Sequence, residues 1–155
     1  NNITVAGNPL FRLENAVLTV KNCTIGTDFS KNGTLIDSYN SIVNISDSIA
    51  GITSGSYASF ISAVKSRLSV KKSSVSVTAD TAVIISASEG NSKLQENNFL
   101  VSGNSGRIAE FFGVKAECIK NTYKAQLKNK TEKVQPVYYN EESKLTDTEN
   151  IIYGF

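Results

Sequence analysis

The sequence predicts an all-β fold, a coil of short strands stacked in parallel, and three observations predict it. Apolar residues recur at a fixed distance: Leu18, Val43, Leu68 and Leu94 stand 25, 25 and 26 residues apart. A period of roughly 20–50 residues marks architectures in which each repeat packs on its neighbours along one axis. Within each repeat apolar and polar residues alternate at period two, the spacing of a strand and not of a helix. Gly, Asn, Asp and Ser separate the alternating stretches, and these residues tolerate the tight bends that a coil needs.

Three strand series keep the period. The first runs Leu18-x-Val20, Val43-x-Ile45, Leu68-x-Val70, Leu94-x-Glu96, Ala116-x-Cys118 and Leu145-x-Asp147. The second follows each of these: Ile25, Ile49, Val75-x-Val77, Phe99-x-Val101, Tyr123-x-Ala125-x-Leu127 and Ile151-x-Tyr153. The third precedes the next repeat: Phe11, Ile36, Ile61, Ile85, Ala109 and Tyr138, in steps of 25, 25, 24, 24 and 29. Each strand is too short to stand alone, so it pairs with its equivalent one coil later. That gives three parallel sheets with rungs about 4.8 Å apart, and a full coil supplies the long connection that parallel pairing requires. The residues between the apolar ones in the first series are Thr19, Asn44, Ser69, Gln95, Glu117 and Thr146, all polar and directed to solvent.

Bends are expected at Gly26-Thr-Asp28, Lys31-Asn-Gly33, Gly51 to Gly55, Glu89-Gly-Asn91 and Gly103-Asn-Ser-Gly106. Both prolines, Pro9 and Pro136, stand just before a third-series strand, where a missing N–H costs least. Ala109 to Lys120 is the least regular stretch, and a short helix competes with strand there. The spacing breaks between Leu127 and Val137, where a charged insertion over 128–136 is read as a projecting loop. The chain is one domain, 1–155, of roughly five to six coils; its strand-like ends suggest a fragment of a longer chain, or end-to-end self-association through uncapped edges.

Composition narrows the functions. A net charge of +2 over 155 residues gives no reason to expect nucleic acid. No apolar run reaches the ~18 residues of a membrane span. There is no histidine and no Cys-x-x-Cys pair, so neither metal nor any other cofactor is expected. Cys23 and Cys118 lie about four rungs apart, roughly 19 Å at the rung spacing, too far for a disulfide.

With three strands per coil, a period near 25 and the motif x-Leu-x-Val-x-Asn/Lys-Cys/Ser-x-Ile, the chain resembles right-handed parallel β-helix proteins: the pectate-lyase-like superfamily and its bacterial surface relatives, over nearly all its length from Ile3 to Phe155. The resemblance implies a right-handed parallel β-helix. For function it implies only a range, because that architecture hosts lyases, hydrolases, tailspikes and adhesins.

Enzymes of that superfamily mostly act on acidic polysaccharides and need grouped carboxylates beside an Arg or a His. Here Asp28, Asp37, Asp47, Asp80 and Asp147 fall at different places in the repeat, and Arg12, Arg67 and Arg107 are dispersed. No catalytic, cofactor-binding or metal-binding residue is therefore assigned. Glu96 breaks the inward pattern, and three readings stand: a bulge turning it outward, an inward carboxylate paired to a neighbour, or a catalytic carboxylate. Tyr39, Tyr57, Phe112, Tyr138 and Tyr139 are the aromatic candidates for sugar stacking, with alternation sending one of Tyr138 and Tyr139 inward. The expectation is a non-catalytic segment of a secreted or bacterial cell-surface protein, an adhesin, passenger or stalk. It would present loops such as Gly51–Gly55 or Lys128–Lys133 to a glycan or host matrix protein. The alternative is a polysaccharide-binding or polysaccharide-degrading domain.

Overall fold

A computed structural model describes residues 2–3, 8–129 and 135–155, for residues 2–3 the backbone alone. The fold is a parallel β-solenoid of about six coils with no helix among the described residues. Each coil passes through three strand columns. Column A is the third series of the sequence, column B the first and column C the second. Every observed strand pairing is parallel and joins a strand to its equivalent in the adjacent coil.

Column C holds seven strands in chain order: Asn2–Ile3, Thr24–Phe29, Ile49–Ser54, Ser74–Thr78, Asn98–Gly103, Thr122–Leu127 and Ile151–Tyr153. Columns A and B are separate strands in the first three coils, as in Asn32–Tyr39 then Ile42–Ser46 and Tyr57–Val64 then Arg67–Lys71. In the next two coils they fuse into the continuous strands Thr81–Gln95 and Ser105–Ile119. The expected three sheets are therefore two, because these long strands carry hydrogen bonding around the bend between A and B. The helix considered over 109–120 is absent: Ser105–Ile119 is strand throughout, held by thirteen register partners in Thr81–Gln95.

The interior is built of stacks. Ile36, Ile61, Ile85, Ala109 and Val137 form one in column A, all buried. Val20, Ile45, Val70, Leu94 and Cys118 form one in column B. Ile25, Ala50, Val75, Phe99 and Tyr123 form one in column C, where the Phe99 and Tyr123 rings stack at 6.3 Å. Apolar side chains one rung apart stay in van der Waals contact along the whole axis, so one continuous core forms from repeats that have none alone. Column A adds a feature that simple alternation does not anticipate. Leu35 and Ile36, Phe60 and Ile61, Ile84 and Ile85, and Ile108 and Ala109 are consecutive buried pairs at the same place in four coils. The in–out alternation slips there by one residue.

Three register expectations need correction, each for the same reason: apolarity is an imperfect marker of position. Leu94 pairs with Val70, and the residue level with Leu68 is the polar Ser92. Ala50, not Ile49, faces inward, and likewise Ile152, not Ile151, is level with Tyr123. In column A the inward residue of the last coil is Val137, and Tyr138 and Tyr139 are both exposed.

The expected bends hold in part: the chain bends at Lys31, Gly55, Glu89 and Asn104. Gly26 and Gly51 lie inside strands. Between columns A and B, and between B and C, the chain turns mainly at non-glycine residues with positive φ: Asn15, Asn40, Lys65 and Glu89 between A and B, where the fifth coil has Gly113, and Asn22, Asp47, Lys72, Glu96, Lys120 and Glu149 between B and C. An L-residue in the left-handed region costs about 1–2 kcal/mol, and such residues persist where the surroundings over-determine them. Here they donate their N–H across the coil boundary, as Asp47 does to the Lys71 carbonyl at 3.1 Å, Lys72 to Gln95 at 3.0 Å, Glu96 to Ile119 at 2.9 Å and Lys120 to Thr148 at 3.0 Å. The loop expected over 128–136 falls mostly on residues 130–134, outside the described residues.

Candidate binding surface

The residue after each B–C bend points inward, and its polar side chain closes the bend. Cys23, Ser48, Ser73, Asn97, Asn121 and Asn150 occupy this place in successive coils. Each backbone N–H of the row is received by the side chain one coil on: Cys23 by Ser48 Oγ at 3.2 Å, Ser48 by Ser73 Oγ at 3.2 Å, Ser73 by Asn97 Oδ1 at 2.9 Å, Asn97 by Asn121 Oδ1 at 3.0 Å and Asn121 by Asn150 Oδ1 at 2.6 Å. The serine hydroxyls donate back within their own coil, Ser48 to Ser46 O and Ser73 to Lys71 O. The asparagine amides donate to the previous coil instead, Asn97 to Val70 O and Asn121 to Leu94 O. Buried polar groups that were orphaned would cost about 1–3 kcal/mol each; this row leaves none. Among the described residues a single buried side-chain polar atom lacks a partner, the Ser92 hydroxyl at the core position that Leu68 fills one coil earlier.

These ladders commit the interior polar groups to structure, so recognition falls to the outer faces. Glu96 is one of the bend residues: it faces outward, 3.9 Å from Lys72 Nζ, and its carboxylate accepts a hydrogen bond from Gln95 Nε2 at 2.7 Å. The outward reading holds, through a left-handed bend and not a strand bulge. It belongs to a row of alternating charge along the coil edge, Asp47, Lys72, Glu96, Lys120 and Glu149, in which Lys120 and Glu149 also pair at 3.5 Å.

The aspartates stay apart. Asp28 accepts from Thr53 Oγ1, Asp37 pairs with Arg12 at 3.7 Å, and Asp80 accepts from Asn104. Asp147 stands level with Cys118 in the stack of column B. Burial raises its pKa, and the hydrogen bond from Asn150 partly opposes that shift. The described residues contain no grouping of three His, Cys, Asp or Glu that could hold a metal, and no helix long and apolar enough to cross a membrane. Both cysteines are free; burial pushes the Cys118 thiol up to about 12.

One set of candidates does come together. Phe112, at the end of column A in the fifth coil, and Tyr138, in the sixth, place their ring centroids 5.6 Å apart at 50°. The Arg107 guanidinium lies 4.9 Å over the Tyr138 ring and bonds Glu110 at 3.1 Å. Phe112 is 40% exposed and Tyr138 37%, so the rings and the charged pair share one outer surface. Tyr39 and Tyr139 are exposed elsewhere on column A, and Tyr57 is half-buried. An exposed aromatic pair flanked by a fork of donors and a carboxylate can stack on an apolar ring face while bonding hydroxyls at its edge. The sequence singled out Phe112 and Tyr138. It missed Arg107 and Glu110 as their neighbours, because the bridge between coils rests on the register Glu110 to Tyr138.

The chain matches no family model, no curated protein and no solved structure in comparisons of all three kinds.

Proposed function

We propose that this chain is a non-catalytic segment of a bacterial surface protein, of the adhesin, passenger or stalk kind, in which the coil is a rigid support and outward groups make the contacts. The observation that carries the reading is the Phe112–Tyr138–Arg107–Glu110 cluster: two exposed rings and an ion pair assembled from two coils, on a scaffold whose inner polar groups are tied into ladders. Exposed aromatics that are neither scattered singly nor covered by the chain are what a glycan or a matrix protein would engage. Surface display suits the solenoid, since its faces vary without disturbing the stack.

The test is a binding screen on glycan and matrix-protein arrays, run beside assays of unsaturated-product absorbance and reducing-end release on acidic and neutral polysaccharides. The expected result is binding that Tyr138→Ala or Phe112→Ala weakens at least ~10-fold, with no turnover of any polysaccharide. Turnover above blank would overturn the non-catalytic reading, and binding indifferent to both substitutions would remove the cluster from it.

A further inference from the structure

Charge is distributed unevenly over the coil, and one face holds most of the excess. The outward positions of column B form three rows across the coils: Val17, Ile42, Arg67, Asn91, Lys115, Lys144; then Thr19, Asn44, Ser69, Lys93, Glu117, Thr146; then Lys21, Ser46, Lys71, Gln95, Ile119, Thr148. They carry six cations and one acid, a net +5 on a chain whose whole net charge is +2. Along the neighbouring bends the lysines are neutralised one by one, Lys65 by Glu89 at 3.7 Å and Lys72 by Glu96 at 3.9 Å. On the column B face only Lys93 has such a partner among the described residues, Glu117 at 3.1 Å. A shallow open groove of about 390 Å³ lies there, bordered by Arg67, Ser69, Asn91, Lys93, Lys115 and Glu117.

We propose that this face binds a linear sulfated glycan lying along the coil axis, with successive sulfate groups meeting Arg67, Lys93, Lys115 and Lys144. These four stand on four successive coils, about 4.8 Å apart along the axis, with Lys93 one outward row aside and shared with Glu117, so an extended charged polymer can follow them coil by coil. Arg67 can present its fork to a tetrahedral oxyanion and the lysines act as point charges. Ser69 and Asn91 supply hydroxyl and amide partners for sugar hydroxyls within the same groove. Three cations around one groove suit a sulfate-dense chain better than one bearing only an occasional carboxylate. A single-stranded nucleic acid is disfavoured because none of these outward positions is aromatic, and such strands are held by stacked bases. The face lies on a different column from the Phe112 cluster, and the inference does not depend on it.

The experiment measures binding of the chain to immobilised heparin at low and at physiological salt, with a polyuronate and single-stranded DNA as the other polyanions. Two double variants lose equal charge: Arg67→Ser with Lys115→Ser on the face, and Lys31→Ser with Lys124→Ser away from it. Expected is preference for heparin, salt-sensitive affinity, a loss of at least ~10-fold in the face variant and less than ~2-fold in the other. The proposal is overturned by equal losses in both double variants, by DNA or polyuronate binding as tightly as heparin, or by no heparin binding at low salt. Circular dichroism of each variant verifies the fold, and Lys115→Ser with Lys144→Ser, which removes the same charge from the face, serves if Arg67→Ser unfolds.

Discussion

The first three coils and the last three close the same bend with different chemistry. In the early coils the inward residue is Cys23, Ser48 or Ser73, and each serine hydroxyl returns to a carbonyl two residues back in its own coil. In the late coils it is Asn97, Asn121 or Asn150, and the amide reaches a carbonyl of the previous coil as well as the next asparagine, at 3.0 Å in both Asn–Asn steps. A hydroxyl ties a coil to itself and accepts one bond from its neighbour; an amide has two donors and two acceptor sites and ties coils together twice. The bend between A and B varies too, but not by halves: in the sixth coil Ser143 accepts the Val114 N–H at 3.1 Å, as the early serines do. Ser41 and Ser66 close it in the second and third coils, accepting N–H bonds from Ala16 and Ser41. At the same place the fourth and fifth coils have Gly90 and Val114, and the strand continues around the bend without interruption. The backbone path is common to both halves. What differs is which side-chain group satisfies the inward-facing amides, and how much of the coil-to-coil tie it carries.

The widest expected contrast is chemical and uses the two cysteines, one in each half. Cys23 is half-buried, while Cys118 is buried with its thiol pushed from 9.0 to about 12. That displacement leaves roughly a thousandfold less thiolate at a given pH below the shifted value. At pH 8 a thiol reagent should label Cys23 in the folded protein and reach Cys118 only on unfolding, as peptide mapping would record. Because the folded thiol titrates above the unfolded one, the protonated form is favoured by folding. The stability it contributes is whole below pH 9 and is lost as pH rises toward 12. Burial raises Tyr123 as well, which acts in the same direction. Cys118→Val should therefore make the alkaline decline shallower without removing it. Equal labelling of both cysteines would break the contrast.

Next in size is the ladder itself. Asn121→Ala strands the Asn97 N–H and the Leu94 carbonyl inside the coil and should cost about 3 kcal/mol, against about 1 kcal/mol for Ser73→Ala. Urea melts giving equal losses would show that the amide's additional bonds add nothing. Gly90→Ala sharpens the second difference. A Cβ at Gly90 would lie 2.2 Å from the Ser66 carbonyl oxygen, whereas one at Gly51 meets nothing nearer than 3.6 Å. Gly90→Ala should destabilise by about 2 kcal/mol and Gly51→Ala by less than about 0.5 kcal/mol. One further effect has the opposite sign. Ser92→Ala removes an unpartnered hydroxyl from a stack that already accepts Ala116 one coil on, and thermal melts should show a gain of about 1 kcal/mol.

The sequence by itself determined the all-β class, the period and the three strand series, because these depend only on which residues are apolar and how far apart they stand. Val20, Ile45 and Val70 could be placed on one inward stack from that pattern alone. It also placed five aspartates at different points of the repeat, and stacking in register leaves them apart. Tertiary structure decided the rest. Ser92 hides a shift of the repeat: spacing aligns Leu94 with Leu68 and Glu96 with Val70, whereas pairing puts Leu94 level with Val70 and Gln95 with Lys71, so Glu96 falls on the bend. Lysines and glutamates take left-handed bends that propensity assigns to glycine, because hydrogen bonds from the adjacent coil hold them there. The Arg107–Tyr138 contact and the basic face of column B exist only once coils are stacked. Each joins residues about 25 apart or more in the chain, and sequence spacing names the column a residue belongs to without saying which side chains from other coils surround it.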